Sequence, residues 1–209
     1  YHCLIFATYD QYKLYFIWKM EPITITITYI YIFRFFCGDV KEQCNKLSGS
    51  KFDIVIADPP WWNKYIRRLK NANDKLSYSM MYNKDIASIP VKNLLASNCL
   101  VAVWCTNAPS NIAAVKDLIF PQWGVEYLTT WYWLKVSWLQ SHRLVGCKKQ
   151  PYERIMLGKI GDISVPKDQL IVSVPSALHS HKPPLLGNNL AFKFKIRYSF
   201  VRKKHFTTL

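Results

Sequence analysis

The chain has 209 residues, half of them hydrophobic and 15% aromatic, with 28 Lys and Arg against 13 Asp and Glu for a net charge of +15. This composition excludes a disordered chain, and the length suits one domain with little more than tails. The positive excess predicts a polyanionic partner over a basic one, the alternative being a merely soluble basic surface.

Residues 1–36 form a β-rich N-terminal extension. The alternation Ile23-Thr24-Ile25-Thr26-Ile27-Thr28 has period two and predicts a strand. An edge strand and a poorly folded extension are both open readings. The uncharged run from Pro22 to Phe33 is shorter than the roughly 20 residues a membrane helix needs. The start also lacks the basic-then-apolar pattern of a signal peptide.

Residues 37–185 alternate strand-like and helix-like pieces. Phe52 to Ala57, Cys99 to Thr106, Tyr127 to Val136, Ile155 to Gly158 and Leu170 to Val174 are apolar runs that predict five strands. Ser79 to Leu95 is helix-capable and broken by Pro90, and Asn111 to Phe120 predicts a helix stopped by Pro121. The alternation argues for an α/β fold with a mostly parallel sheet flanked by helices.

Residues 186–209 are a divergent basic C-terminal tail with six Lys and Arg and no acid. Within it, Ala191 to Val201 alternates apolar and basic residues, as either a one-sided strand or a tether would.

Six cysteines, at 3, 37, 44, 99, 105 and 147, include no C-x2-C pair, which argues against a structural zinc site. They predict reduced thiols, some in the core, in an intracellular setting, the nucleus or cytosol. His179 and His181 lack a nearby third ligand, so no metal is expected.

Asp58-Pro59-Pro60-Trp61 directly follows the first buried strand. Ligands of open α/β sheets bind beyond the carboxyl ends of strands. A carboxylate there accepts a hydrogen bond from an aromatic amine, and a carbonyl before a proline is left to accept another, because proline has no N–H. A tryptophan offers a face for a flat base, and the prolines stiffen the loop. The bland alternative is a Pro-rich turn with a packed Trp.

These residues resemble the catalytic motif of the MT-A70 family of S-adenosyl-L-methionine (AdoMet)-dependent adenine-N6 methyltransferases. Further blocks resemble the family in order: Cys37-Gly38-Asp39-Val40, Tyr78-Ser79-Met80-Met81, Ile89-Pro90-Val91, Leu100 to Asn107, Trp131 to Lys135, and Pro151-Tyr152-Glu153 with Leu157-Gly158. Leu170 to Leu185 is most similar to the methyltransferase-like-4 branch. The resemblance covers about 37–185, read as the methyltransferase domain.

The resemblance implies a Rossmann-like AdoMet-dependent methyltransferase. Its catalytic residues would be Asp58, Pro59, Pro60 and Trp61. Asp39, Val40, Asp58, Ser180 and Lys182 would hold the cofactor. Trp61, Asn63, Lys64, Arg67, Arg68 and Tyr78 would meet the substrate. The basic run Lys64, Arg67, Arg68, Lys70 and Lys75 would meet phosphates, or else be a solvated face. The partner implied is adenosine-containing RNA, in a small nuclear RNA or 2′-O-methyladenosine context, with DNA as runner-up and a methyltransferase-like subunit as a further possible partner. After Leu185 the chain departs from the family: the E-L-F-A-R strand and G-N-E turn that hold the cofactor's ribose are absent from 186–209. That departure keeps open a second class of function, a nucleic-acid-binding protein impaired in catalysis.

Overall fold

The computed structural model describes residues 3–7, 14–18, 33–36, 38–63, 80–136, 150–175, 182 and 183. The chain divides into two compact units, Tyr1–Val174 and Pro175–Leu209. Of the second unit, Pro175, Lys182 and Pro183 are described, without regular secondary structure. The alternating runs at 23–28 and 191–201 lie outside the described residues.

In the first unit the described strands are β1 (Cys3–Ala7), β2 (Leu14–Trp18), β3 (Phe33–Phe36), β4 (Phe52–Asp58), β5 (Leu95–Cys105), β6 (Glu126–Lys135), β7 (Tyr152–Ile160) and β8 (Leu170–Ser173). They form one sheet in the order β3-β2-β1-β4-β5-β7-β6-β8. β1 is antiparallel to both β2 and β4, and β7 to both β5 and β6, while the other neighbours are parallel. Six strands therefore point one way and the interior strands β1 and β7 are reversed, so the sheet is mixed, with more antiparallel pairings than the sequence expectation of a mostly parallel sheet implies.

β4, β5, β6 and β7 are central strands with both faces buried, which is why they read as apolar runs rather than alternations. One face carries Val55, Ala57, Val101, Val103, Cys105 and Met156, in one apolar cluster with residues of the helices. The helical segments are α1 (Val40–Lys46), α2 (Asn83–Ala87), a 3-10 turn (Val91–Leu94), α3 (Pro109–Ala114), a π-helical turn (Val115–Ile119) and α4 (Phe120–Trp123). The opposite face carries Ile54, Leu100, Trp104, Trp131, Trp133, Ile155 and Leu157, also buried.

Pro121 does not stop the helix, contrary to the sequence expectation. It stands one residue into α4, directly after the π-helical turn, and the helical run 109–123 continues through it without a break. The stop comes at Gly124, whose φ of 71° lets its N–H reach the Pro121 carbonyl while Val125 N–H reaches Phe120.

Cys44, Cys99 and Cys105 are buried free thiols. Burial pushes each up to about 12; for Cys105 the Arg154 charge opposes that rise. A raised thiol pKa favours the folded state below about pH 9, and this contribution is lost as pH climbs from there toward about 12. We expect iodoacetamide at pH 8 to leave these three sites unlabelled in the native protein and to modify them rapidly in denaturant, read by peptide mass mapping. Labelling at equal rates in both states would contradict the burial.

Candidate active site

Because β3, β4, β5, β6 and β8 run the same way, their carboxyl ends share one edge of the sheet. The start of the reversed strand β7 arrives at that edge too. The edge therefore gathers Asp39, Asp58, Thr106, Asn107, Lys135, Ser173 and the segment Tyr152–Arg154. This is where open α/β sheets take ligands.

Asp58 is the last residue of β4 and is half-buried. The two prolines that follow supply no N–H, so the first loop donor is Trp61, which turns back to the Pro59 carbonyl at 2.9 Å. The Pro60 carbonyl accepts Met81 N–H at 2.9 Å, and Met81 in turn accepts Trp62 N–H at 3.2 Å. The Pro59 carbonyl is thus already engaged, unlike the sequence expectation. Its second lone pair remains for another donor.

The Trp61 ring differs more sharply from that expectation. It is 5% exposed, and its indole N–H donates to the Trp104 carbonyl at 2.9 Å. A ring so placed offers no open face for stacking; it pins the loop to β5. The outward ring is Trp62, half-buried and stacked on Tyr82 with centroids 6.1 Å apart and planes 18° apart. Asn63 is exposed, and its N–H meets the Met80 sulfur at 3.3 Å.

Alternation places Asp58 on the sheet face that carries Trp104, and strand pairing continues that face through Glu153, Trp133, Lys135 and Ser173. Lys135 and Glu153 form a half-buried ion pair, with the Lys135 ammonium 4.7 Å from the Trp133 ring centre. Trp133 donates its indole N–H to the Ser173 hydroxyl at 2.8 Å, and Trp104 packs edge-on against Trp133 at 5.7 Å. On the other face Arg154 donates to the Asn107 side-chain oxygen at 3.1 Å and the Tyr132 hydroxyl at 3.0 Å. Its guanidinium stands 5.1 Å and 5.5 Å from the ring centres of Tyr132 and Tyr152. These three partners are neutral, so the guanidinium adds positive charge to the edge.

Asp39 caps α1, its Oδ1 accepting N–H groups from Lys41 at 2.9 Å and Glu42 at 3.2 Å. Val40 is in the core. Both follow Gly38, whose φ of 147° disfavours any side chain and whose added Cβ would lie 2.8 Å from Gln43 Nε2. Lys182 belongs to the second unit. Ser180, Lys64, Arg67, Arg68 and Tyr78 lie outside the described residues. The structure thus brings Asp58, Pro59, Pro60, Trp61 and Asn63 together and adds Trp62, Tyr82 and the Lys135–Glu153 pair. The signal for Trp62 was its adjacency to the motif; Tyr82 carried none. Among the described residues no group of three His, Cys, Asp or Glu side chains could hold a metal ion, and no helix is long and apolar enough to cross a membrane.

The family model described as MT-A70 matches residues 52–200, well over half the chain. The chain is similar to the N(6)-adenine-specific methyltransferase METTL4 of Mus musculus, 36% identical over 66% of this chain and 31% of the relative. It is 36% identical to a DNA N6-methyl methyltransferase of Caenorhabditis elegans over 73% of this chain and 42% of that protein. It is also 34% identical to the N6-methyladenosine RNA methyltransferase MTA1 of Cryphonectria parasitica, over 73% and 48%. The chain thus spans from 31% to 48% of the length of these relatives. A family match that begins at the first residue of β4 and runs through β5, β6, β7 and β8 places this chain in the MT-A70 family.

Proposed function

We propose that this chain is an AdoMet-dependent adenine-N6 methyltransferase acting on RNA, with DNA as the second substrate to test. The observation that carries the reading is Asp58-Pro59-Pro60-Trp61 at the carboxyl end of a buried strand, with Trp61 anchoring the loop through Trp104. The relatives' names include both DNA and RNA methyltransferases, so both arms belong in the assay.

The first unit's residues fit AdoMet by acceptor chemistry: Asp39 and Asp58 lie at one edge of the sheet, where carboxylates suit the cofactor's hydroxyl and amino hydrogens. When bound, AdoMet supplies a methyl group on a sulfonium. The remaining work falls to the chain. The N6 lone pair of adenine is delocalised into its ring and is a poor nucleophile. The Asp58 carboxylate would accept one N6 hydrogen, and the second lone pair of the Pro59 or Pro60 carbonyl the other. Two acceptors so placed draw the nitrogen toward tetrahedral geometry. Because the loop is already fixed, the rate gain comes from positioning and electrostatics. The target base must be unstacked to reach Asp58.

The direct test is methyl transfer from labelled AdoMet to single-stranded RNA and DNA oligonucleotides, each with and without adenosine. Adenosine-dependent label on either polymer supports the reading; none on both defeats it. A second reading, a nucleic-acid-binding protein without turnover, is favoured by the absence of E-L-F-A-R and G-N-E from residues 186–209. It predicts AdoMet affinity about ten- to several-hundred-fold below that of a variant given the family ending, by calorimetry on chains with cooperative melts. A nuclear or cytosolic location and a methyltransferase-like partner subunit complete the proposal.

The basic segment between Asn63 and Met80 would add cations that pair with phosphates. Replacing Arg67, Arg68 and Lys70 together with Ala should weaken oligonucleotide binding and flatten its log–log salt slope by about one unit, at most, for each phosphate left unneutralised. An unchanged slope would show that these cations do not touch phosphate.

A further inference from the structure

We infer that the Trp62–Tyr82 pair is a stacking platform for the base next to the target adenine. The inference rests on the methyltransferase reading above and adds a residue pair that neither the family match nor the catalytic motif assigns.

The local backbone decides which way each ring faces. Trp61 is turned into the core by its bond to Trp104, so the next residue, Trp62, is turned outward. Trp62 N–H is held by the Met81 carbonyl and Met81 N–H by the Pro60 carbonyl. The two chain segments at the motif are therefore tied together at their backbones. One residue further on, Tyr82 precedes α2, and the Asp85 carboxylate accepts its N–H at 3.3 Å. Both rings thus stand on anchored backbone. They lie almost parallel, yet Tyr82 remains 63% exposed.

A half-buried Trp stacked on a Tyr that is 63% exposed leaves a flat aromatic face open to an occupant of matching shape. A planar base is that occupant here, for reasons of place and charge. Trp62 is the residue immediately after the tetrapeptide that would hold the target amine, so a polymer threaded to Asp58 passes over it. The chain carries +15, and the 16 residues between Asn63 and Met80 hold five Lys and Arg against one Asp. A polyanion is drawn to such a rim. Stacking on aromatic rings is tolerant of sequence and contributes about tenfold in affinity per base. It would hold the neighbouring nucleotide while the target adenine leaves the stack.

The test measures binding, not turnover, on the full chain. Fluorescence anisotropy is read with three single-stranded RNA nonamers carrying a central adenosine: one intact, one abasic immediately 5′ of it, one abasic immediately 3′ of it. Trp62→Ala and Tyr82→Ala are each expected to weaken binding to the intact strand about tenfold, with Trp62→Phe retaining most of the affinity and all variants keeping the wild-type melting profile. Wild type should lose a similar factor on one of the two abasic strands, and Trp62→Ala should lose nothing further on that strand. That non-additivity is the signature of ring and base in contact. Additive losses on both abasic strands, or unchanged affinity in Trp62→Ala, overturn the inference, and the latter leaves the pair to a protein partner. If wild type binds no adenosine strand at all, the nucleic-acid reading falls and takes this inference with it.

Discussion

Asp58→Ala is expected to remove methyl transfer, a loss of at least about a hundred- to a thousandfold, while oligonucleotide affinity stays within a few-fold of wild type. The expectation follows from where Asp58 stands. It is the last residue of a buried strand, so its side chain is positioned by the sheet and not by the loop. One carboxylate aimed at one amine makes little difference to ground-state affinity, which comes mainly from phosphates. It matters most when the nitrogen changes geometry, and a preorganised group of that kind contributes about 10²–10³ in rate. Asp58→Asn is the sharper variant. It keeps the shape but replaces one acceptor oxygen with a donor, which opposes an N–H. It should therefore be nearly as inactive as the alanine. Single-turnover label transfer on an adenosine oligonucleotide, paired with an anisotropy titration, separates the two quantities. Near wild-type transfer in either variant would remove Asp58 from the chemistry.

Trp61→Ala should act differently, as a loss of stability. The ring is 5% exposed and its N–H is satisfied by Trp104. Truncating a buried Trp costs about 3–5 kcal/mol, a large share of what a domain of this size has in hand. Trp61→Phe keeps most of the packing and leaves the Trp104 carbonyl without its indole donor, at about 1–3 kcal/mol. Urea melts of the two variants should fall in that order. A Trp61→Ala protein that melts like wild type but loses oligonucleotide affinity would instead make Trp61 the stacking ring. The contrast with Trp62→Ala is the informative one. Neighbouring tryptophans are expected to divide, one into folding and one into binding.

The sequence made the central strands legible because burial on both faces leaves a run of apolar residues that few other contexts produce. Phe52 to Ala57 and Tyr127 to Val136 fall within a residue of β4 and β6. Strand direction was not legible. Ile155 to Gly158 reads the same whether its neighbours run with it or against it, so the reversal of β7 emerges only from the pairing. Pro121 was misread because the rule that prolines end helices assumes α-helical bonding on both sides, and a π-helical turn lies before it. At the site, the tetrapeptide was legible as a stiff loop directly after a buried strand, but nothing in Trp61-Trp62 says which ring is inside. The Lys135–Glu153 pair was hidden for a related reason: partners 18 residues apart meet only once β6 and β7 pair.

The reversed strand β7 also bears on the order in which the domain assembles. β6 and β7 are consecutive among the described strands and antiparallel, so they can pair from nearby sequence as a hairpin does. β5 and β7 have paired residues about fifty positions apart, as in Val103 with Met156, and that junction must wait for a longer loop to close. The β6–β7 hairpin would then dock on β5 as a preformed unit, bringing Lys135 and Glu153 to the Asp58 edge in one step. On this scheme, destabilising substitutions across the β5–β7 seam should leave hairpin formation untouched and slow the later docking event, the step that also completes the Asp58 edge.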